Sequence, residues 1–333
     1  MYFSLPNLLF FSTLLSGTIL SVSSSSWFSA WVGLELNLLS FIPLMITKNN
    51  QYSSEAALKY FLIQSLGSSL IIFSASFMLI YPKMSSVIMF CALILKLGGA
   101  PFHFWFPQVM GGLLWPQAMI LMSIQKIAPL FLLSYLASMS LMETYFSLAS
   151  MLSAIVGAVG GINQTSLRKI LAFSSINHIG WMLSSILVSE TTMGIYFLFY
   201  SLISLSIVIL FHYKQAFHFN HLLTFNFPIE VKLLVFFSLL SLGGLPPFTG
   251  FIPKWLIIQE LTSASNFILL IVLLGSALLT LYFYLRISIM SLTLSSPKLI
   301  ISIPNKQVFK WILPYPMFIN FFGLLIPFMV MII

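Results

Sequence analysis

Charged residues are scarce in this sequence. Only 6% of its 333 residues are Asp, Glu, Lys or Arg, whereas 59% are hydrophobic and the mean hydropathy is +1.06. A soluble domain carries about 25% charged residues, so the composition excludes a soluble protein. The apolar runs are long and continuous, which excludes an outer-membrane barrel, whose strands alternate over about 10 residues. We therefore expect an all-α, multi-pass membrane protein.

Cysteine and aspartate are also nearly missing. The sequence has one cysteine, Cys91, which lies inside an apolar run, and six glutamates but no aspartate. A single thiol can form neither a disulfide framework nor a thiolate cluster for zinc or iron–sulfur. No P-loop and no dinucleotide-binding fingerprint occurs. We therefore expect no metal site, no bound cofactor and no redox centre in this chain.

The N-terminal 25 residues lack the features of a targeting segment. They have no basic n-region and no Arg-rich amphipathic pattern. This pattern predicts a retained first span and not a secretory or transit signal. We expect a bacterial protein, or one made inside the organelle in which it works.

Apolar runs of about 20 residues, bounded by polar or turn clusters, predict about eleven transmembrane helices. No linker rich in Pro, Ser or charge divides the chain, so we expect a single membrane domain. The predicted spans lie near 5–24, 27–47, 56–81, 84–110, 115–138, 143–163, 169–189, 192–213, 230–260, 266–289 and 311–333.

Two of these spans contain the same helix-breaking motif. The letters LGGAPF occupy 97–102 in the fourth span, and LGGLPP occupy 242–247 in the ninth. Proline removes a backbone donor and paired glycines leave helical geometry, so neither helix can pass through intact. Interrupted segments in corresponding positions indicate a transporter pathway. The spacing of five spans predicts two inverted five-helix repeats, over 1–138 and 139–290, and then a loop and one C-terminal helix over 291–333.

Basic residues of the loops predict the orientation of the chain. Cytoplasmic or matrix loops carry an excess of Lys and Arg, so the N-terminus is expected on the matrix or cytoplasmic side. Ten basic groups lie on that side and only Lys83 lies on the other; the ten are Lys48, Lys59, Arg168, Lys169, Lys214, Lys232, Arg286, Lys298, Lys306 and Lys310. This asymmetry accounts for the net charge of +8, so we expect no nucleic acid partner.

Four ionisable groups lie too far inside predicted spans to be moved easily into loops: Glu35, Lys96, Lys126 and Lys254. Unpaired, they would cost on the order of 10 kcal/mol on the membrane-insertion scale, so they are expected to face one another or water. Glu35 is the expected partner of Lys96. A lysine whose carboxylate partner can move away would act as a proton switch, and the alternative is a static ion pair that fixes helix packing. For Lys254, the alternative is a plain kink with a lysine reaching the membrane surface.

Two histidines also lie within predicted spans. His103 stands seven residues beyond Lys96, two turns along if the helix resumes at once, and His178 is surrounded by serines and an asparagine. Imidazole can relay protons, although an intramembrane histidine can also serve packing alone. His212, His218 and His221 share a basic loop with phenylalanines but without a nearby carboxylate or cysteine. This composition favours a partner or lipid surface over a metal site.

Four motifs together resemble a known family over essentially the whole chain. They are WVGLELN at 31–37, LKLGGAPFHFW at 95–105, SSINHIGW at 174–181 and GGLPPFTGFIPKW at 243–255, and they resemble the antiporter-like membrane subunits of respiratory complex I. The resemblance implies a proton-pumping module of the membrane arm. The family positions that it matches are those of Glu35, Lys96, Lys126, Lys254, His103 and His178.

The resemblance also implies the surroundings of the chain. NADH, FMN, iron–sulfur clusters and ubiquinone would be handled by other subunits of the complex, with neighbouring antiporter-like subunits as the main partners. Membrane lipids, with cardiolipin as a candidate, would be further partners. Fuller family members have three more N-terminal helices, and animal members resemble the shorter form seen here, which predicts the mitochondrial inner membrane. A free-standing cation/proton antiporter and a structural anchor without translocation remain the alternatives.

Overall fold

The chain is described by a computed structural model that covers residues 5–47, 50–138, 142–224, 229–293 and 314–321. Within these ranges the regular secondary structure is α-helical, apart from an isolated antiparallel bridge between Ser166 and His218. Seven helical segments are long and apolar enough to cross a membrane. The all-helical membrane class is confirmed, whereas the number of eleven spans stays a prediction.

The chain divides into two compact units, Met1–Ser153 and Ala154–Ile333. The helices of the first unit are α1 (Leu5–Ser23), α2 (Trp27–Met45), α3 (Gln51–Phe77), α4 (Pro82–Leu97), α5 (Trp105–Gly112), α6 (Trp115–Met122), α7 (Ile124–Ala137) and the first part of α8 (Met142–Ile162). In this unit α3 packs on α2, α4 and α5, while α7 packs on α1 and α4.

The second unit contains the end of α8 and the remaining helices. These are α9 (Leu167–Ile186), α10 (Glu190–Lys214), α11 (Phe219–Thr224), α12 (Ile229–Gly243), α13 (Phe251–Ser263), α14 (Phe267–Thr293) and α15 (Pro314–Phe321). Helix α9 contacts α10, α13 and α14, and every residue of α9 is buried except Arg168, Lys169 and Phe173. Helix α9 thus forms the centre of this unit.

Both predicted helix breaks are present. Helix α4 ends at Leu97, where Gly98 adopts φ +75°, and α5 begins only at Trp105. Helix α12 ends at Gly243, Gly244 adopts φ +76°, and α13 begins at Phe251. This left-handed conformation is open to glycine at little cost, which explains why the helices end at these pairs.

The span predicted over 115–138 is long and apolar enough to cross a membrane over Trp115–Ala137, with a turn at Ser123 (φ −112°, ψ −80°) between α6 and α7. Another predicted span needs correction. The span predicted to start at 56 begins at Gln51, because Asn50 caps the helix and Lys59 pairs with Glu55 at 2.6 Å.

The C-terminal prediction is covered only in part. Helix α15 occupies Pro314–Phe321, whereas 294–313 and 322–333 lie outside the described residues. The same applies to Lys48, Lys298, Lys306 and Lys310 of the orientation argument. Helix α11, within the loop after α10, was not predicted.

Candidate functional site

Lys96 is buried one residue before the end of α4, with 6% of its surface exposed. Its aliphatic stem lies against Gly67 of α3, where an added Cβ would stand 2.9 Å from Lys96 Cγ. Gln64, one turn earlier on α3, donates to the carbonyl of Lys96 at 3.1 Å. Helix α3 therefore holds this lysine in place at the break.

The predicted ion pair between Glu35 and Lys96 is not formed. Among the described residues, the ion pair in this unit is Lys59–Glu55. Glu35 Oε2 is buried and has no hydrogen-bond partner, although the carboxylate interacts electrostatically with Lys96 and Tyr60. The Lys96 side chain packs against Gly67 of α3, whereas Glu35 lies on α2. The two groups are thus coupled through space and not by contact.

A chain of hydrogen bonds joins three helices beside these lysines. The Tyr60 hydroxyl donates to Gln125 Oε1 at 3.1 Å, and Gln125 Nε2 donates to Asn37 Oδ1 at 2.8 Å. These three residues were missed as site residues by the sequence analysis. The signal available was their polarity inside apolar runs, since a polar side chain at membrane depth needs a partner.

Lys126 follows Gln125 on α7 and is 2% exposed. Its Nζ lies 5.1 Å from the centre of the Phe106 ring, a cation–π distance. A cavity of about 10 Å³, counted as the space open to the centre of a water molecule, adjoins both lysines; it is lined by Asn37, Tyr60, Gln64, Lys96, Gln125 and Lys126 among others. This volume and these polar walls suit about one water molecule.

His103 does not join this cluster. The helix does not resume after Lys96, so His103 lies in the irregular segment between α4 and α5. Its Nδ1 is 3.3 Å from Pro101 O, and its ring packs on Phe104. The condition that would place His103 two helical turns beyond Lys96, an immediate resumption of the helix, is therefore not met, because Gly98 ends the helix.

Lys254 lies on the first turn of α13, directly after the second break, and is 6% exposed. Its Nζ donates to Gly243 O at 2.8 Å and lies 5.6 Å from the centre of the Trp181 ring. The approach depends on Gly244, where an added Cβ would stand 2.7 Å from Lys254 Cδ and 3.0 Å from Nζ. A carbonyl left free by the broken helix thus becomes the partner of the ammonium group.

His178 lies on the buried helix α9 and shares a hydrogen bond of 2.8 Å between its Nδ1 and the Tyr196 hydroxyl. The Tyr196 ring stacks on Trp181, the residue that faces Lys254. A second cavity of about 10 Å³, measured in the same way, is lined by His178, Tyr196, Tyr200, Ile203, Ser241, Leu242, Gly250 and Pro253. His178 and the second break therefore meet at one water-sized space.

His218 and His221, which follow α10, form hydrogen bonds with backbone groups near them. His221 Nδ1 accepts from Phe217 N at 3.4 Å, and His218 forms the backbone bridge to Ser166. Over the part of the chain that the structure describes, no group of three or more His, Cys, Asp or Glu residues converges.

Both units thus contain the same chemical parts: a buried lysine at a helix break, groups that donate and accept hydrogen bonds, and a water-sized cavity. Hydroxyl and imidazole groups of this kind can take part in a proton relay, and amide groups can orient them by hydrogen bonds. Lysine at membrane depth can hold or release one. The arrangement is suited to moving protons and offers no groove for a large substrate in either cluster.

The chain is similar to a family of known membrane proteins. The family described as "NADH:quinone oxidoreductase/Mrp antiporter, TM" matches residues 24–86 and 82–280. NADH-ubiquinone oxidoreductase chain 2 of Anopheles gambiae is 48% identical over 295 residues, which cover 85% of each chain. The protein of the same name from Oryctolagus cuniculus is 41% identical over 312 residues, covering 90% of this chain and 88% of the relative.

Two solved structures share the fold. A chain of respiratory complex I from Thermus thermophilus with bound Aureothin has a TM-score of 0.86 at 23% identity, covering 97% of this chain and 78% of that chain. A chain of the Mrp complex from Dietzia sp. DQ12-45-1b has a TM-score of 0.78 at 18% identity, covering 86% of this chain and 60% of that chain. At these identities the similarity concerns the fold alone.

Proposed function

This chain belongs to the NADH:quinone oxidoreductase/Mrp antiporter family of membrane proteins, and we propose that it is a core membrane subunit of NADH:ubiquinone oxidoreductase that translocates protons. The observation that carries the proposal is the Lys254 site. A buried ammonium group there is held by a carbonyl that the broken helix leaves free, and its neighbour Gly244 is the residue type that permits the approach. The names of the similar proteins place such a chain in a redox-driven complex.

Each unit contributes its own proton-handling groups. In the first, Lys96 and Lys126 border one cavity, and the charge on Glu35 acts on Lys96 from a distance. In the second, Lys254 gains or loses a proton while Gly243 O keeps it oriented, and His178 faces the adjoining cavity with Tyr196. A change of charge at one group alters the free energy of protonation at its neighbours, which is how electron transfer elsewhere can drive transport.

The electron-transfer chemistry belongs to other subunits. The family resemblance assigns NADH, FMN and ubiquinone to them. The iron–sulfur clusters are assigned to them as well, because the single cysteine, Cys91, cannot ligate a cluster. Neighbouring antiporter-like subunits and membrane lipids, with cardiolipin as a candidate, are the proposed partners. The proposed location is the mitochondrial inner membrane with the N-terminus in the matrix, supported by the loop charges.

The proposed architecture is eleven spans in two inverted five-helix repeats, 1–138 and 139–290, followed by a C-terminal segment, 291–333. Both breaks support it, since each lies at a Gly-Gly pair beside a buried lysine. The four spans beyond the seven long apolar segments would be the two broken helices, the polar helix α9, and a C-terminal span that includes α15.

A free-standing cation/proton antiporter is the second candidate, favoured by the fold shared with the Mrp complex chain. A dedicated sodium site made of several carboxylates needs acidic residues close together. The sequence has no Asp and six Glu, and Glu35 is the one glutamate of the first cluster. This scarcity disfavours a dedicated sodium site.

Membership of the complex is tested on native membranes. After solubilisation in mild detergent and separation on a native gel, this chain should co-migrate with inhibitor-sensitive NADH:quinone reductase activity, in a particle far larger than 37.5 kDa. Migration alone or as a small oligomer without that activity would favour the antiporter.

Translocation is tested with neutral substitutions in the assembled complex. Lys254→Met or Glu35→Gln should leave assembly largely intact and lower the number of protons moved per electron. Lys169→Met, at an exposed lysine of α9, is the matched control and should change neither quantity. Loss of assembly with a normal proton-to-electron ratio in the residual complex would support the structural anchor instead.

A further inference from the structure

The second helix break is contacted by a residue from the C-terminal helix. Asn320 of α15 is fully buried, and α15 packs on α10 and α12. Its side-chain Oδ1 accepts from the Ser241 hydroxyl on α12 at 2.8 Å. Its backbone carbonyl accepts from Thr249 N in the irregular segment at 3.4 Å. One residue therefore ties α12 to the segment that leads into α13 and Lys254.

The segment before α13 touches α12 at Ser241. An added Cβ on Gly250 would overlap Ser241 O, so the segment before α13 lies directly against this carbonyl. The residue also lines the cavity that adjoins His178. Two residues further along α12 is Gly243, whose carbonyl accepts from Lys254. A change at Ser241 is thus transmitted to both His178 and Lys254.

The hydrogen bonds of Ser241 cannot all exist at once. Its Oγ lies 2.7 Å from Ser238 O and 2.8 Å from Asn320 Oδ1, and both are acceptors. A serine hydroxyl has one hydrogen, so it donates to one of these oxygens at a time. Turning the hydroxyl towards Ser238 O leaves Asn320 Oδ1 without its donor, unless the amide rotates and offers its NH₂ group to Ser241.

Two further polar atoms beside this pair need a partner. Asn320 Nδ2 and Thr249 Oγ1 are buried, and neither makes a hydrogen bond within the described residues. Leaving a buried donor unsatisfied is unfavourable, so a water molecule is the expected partner.

We propose that Asn320 is a positioning residue for proton translocation at the second break, where its amide and the Ser241 hydroxyl form a hydrogen-bond switch with two states. In one state the hydroxyl points to Asn320, and in the other it points along α12 to Ser238 O. The switch, together with one bound water, sets the direction in which the cavity beside His178 can pass a proton. The proposal rests on the proposed function of the chain as a proton-translocating subunit.

The test uses Ser241→Ala, Asn320→Ala, Asn320→Leu and the double variant Ser241→Ala with Asn320→Ala, each in the assembled complex reconstituted into liposomes. We expect each single variant to lower NADH-driven proton transport about tenfold, the usual effect of losing one buried hydrogen bond from a working state. The double variant should be no slower than either single variant, because both changes disable one switch. Asn320→Leu fills a similar volume without a polar atom and separates packing from hydrogen bonding.

Ser288→Ala is the matched control. Ser288 of α14 is as fully buried as Ser241, its hydroxyl donates to Leu285 O of its own helix, and it does not line the cavity beside His178. Its replacement should leave transport unchanged. An equal loss in Ser288→Ala, additive losses in the double variant, or unchanged transport in Ser241→Ala would each overturn the proposal. Should the Asn320 variants fail to assemble, Ser241→Ala, which deletes a single hydroxyl, decides the matter.

The Ser241→Ala and Lys254→Met variants together distinguish an incorrect switch from an incorrect proposed function. Normal transport in Ser241→Ala with impaired transport in Lys254→Met would overturn the switch and leave the pump intact. Normal transport in both would contradict the pump itself.

Discussion

At the scale of single residues, the two lysines at the breaks depend on glycine. Lys96 packs against Gly67 of a neighbouring helix, and Lys254 packs against Gly244 of its own break. A side chain at either glycine would occupy the space of the lysine stem. Glycine at these two positions therefore leaves the space that the buried lysine side chains occupy.

This dependence predicts a difference between the two glycines of the second break. Gly244→Ala should displace Lys254 and cost about 1–2 kcal/mol, since φ is +76° and the Cβ would stand 2.7 Å from Lys254 Cδ. Gly243→Ala is the control, because a Cβ there would meet its nearest neighbours at 3.7 Å. Proton transport per electron in the assembled complex should fall for Gly244→Ala only. Equal behaviour of the two variants would contradict the assigned role of Gly244.

The hydrogen-bond chain of the first unit leads to a second prediction at this scale. Tyr60→Phe removes the hydroxyl that donates to Gln125, and Gln125 in turn donates to Asn37. We expect proton transport to fall by about tenfold, the effect of one lost buried hydrogen bond, with the complex still assembled. Tyr135→Phe, which removes a half-exposed hydroxyl bonded to Val22 O, should have little effect. If transport is unaffected by Tyr60→Phe, the chain serves packing alone.

At the scale of elements, close helix packing positions the polar groups. Helices α1 and α2 approach through Gly17 and Gly33, and a Cβ on Gly33 would stand 2.6 Å from Ser21 N. Small residues at such contacts let membrane helices pack backbone to backbone. Helix α2 carries Glu35 and Asn37, so α1 fixes the position of both through this contact.

Gly33→Ala should therefore separate α1 from α2 and destabilise the chain by about 1–3 kcal/mol, the range for overpacking. The amount of assembled complex after graded heating, measured on native gels, should decrease relative to the unaltered protein. Gly194→Ala is the control, since a Cβ there meets nothing within 4 Å. Equal heat stability of the Gly33 and Gly194 variants would show that the α1–α2 contact is not critical.

At the scale of the whole molecule, loop charge predicts one orientation in the membrane. Lys169 and Lys83 are both exposed and belong to opposite predicted sides. In a Cys91→Ser background, Lys169→Cys should react with an impermeant maleimide only in vesicles that expose the matrix face. Lys83→Cys should react only in vesicles of the opposite orientation. The reverse labelling pattern would show that the chain is inserted the other way round.

The sequence by itself determined the membrane class, both helix breaks and the placement of Lys96 and Lys254 beside them. These features are local. The number of consecutive apolar residues decides whether a segment can span a bilayer, and Gly-Gly and Pro end a helix wherever they occur. The four motifs added the family, which the comparisons confirm.

Other features are decided by tertiary structure. Tyr60 and Gln125 are 65 residues apart in sequence, and Ser241 and Asn320 are 79 apart, so no local pattern shows that they meet. At the turn at Ser123, the hydroxyl and the backbone N–H both donate to Met119 O, at 2.7 and 3.0 Å, and serine makes such a hydroxyl bond in some helices and not in others.

The partner of a buried charge such as Glu35 could likewise not be predicted from the sequence. The sequence predicts that Glu35 and Lys96, two opposite charges at membrane depth, form an ion pair. In the structure Lys96 packs on α3, and the two groups interact only at a distance. Lys254 bonds to a backbone carbonyl and not to a carboxylate. A buried charge can be stabilised by any polar group within reach, and which group is within reach depends on how the helices pack against one another.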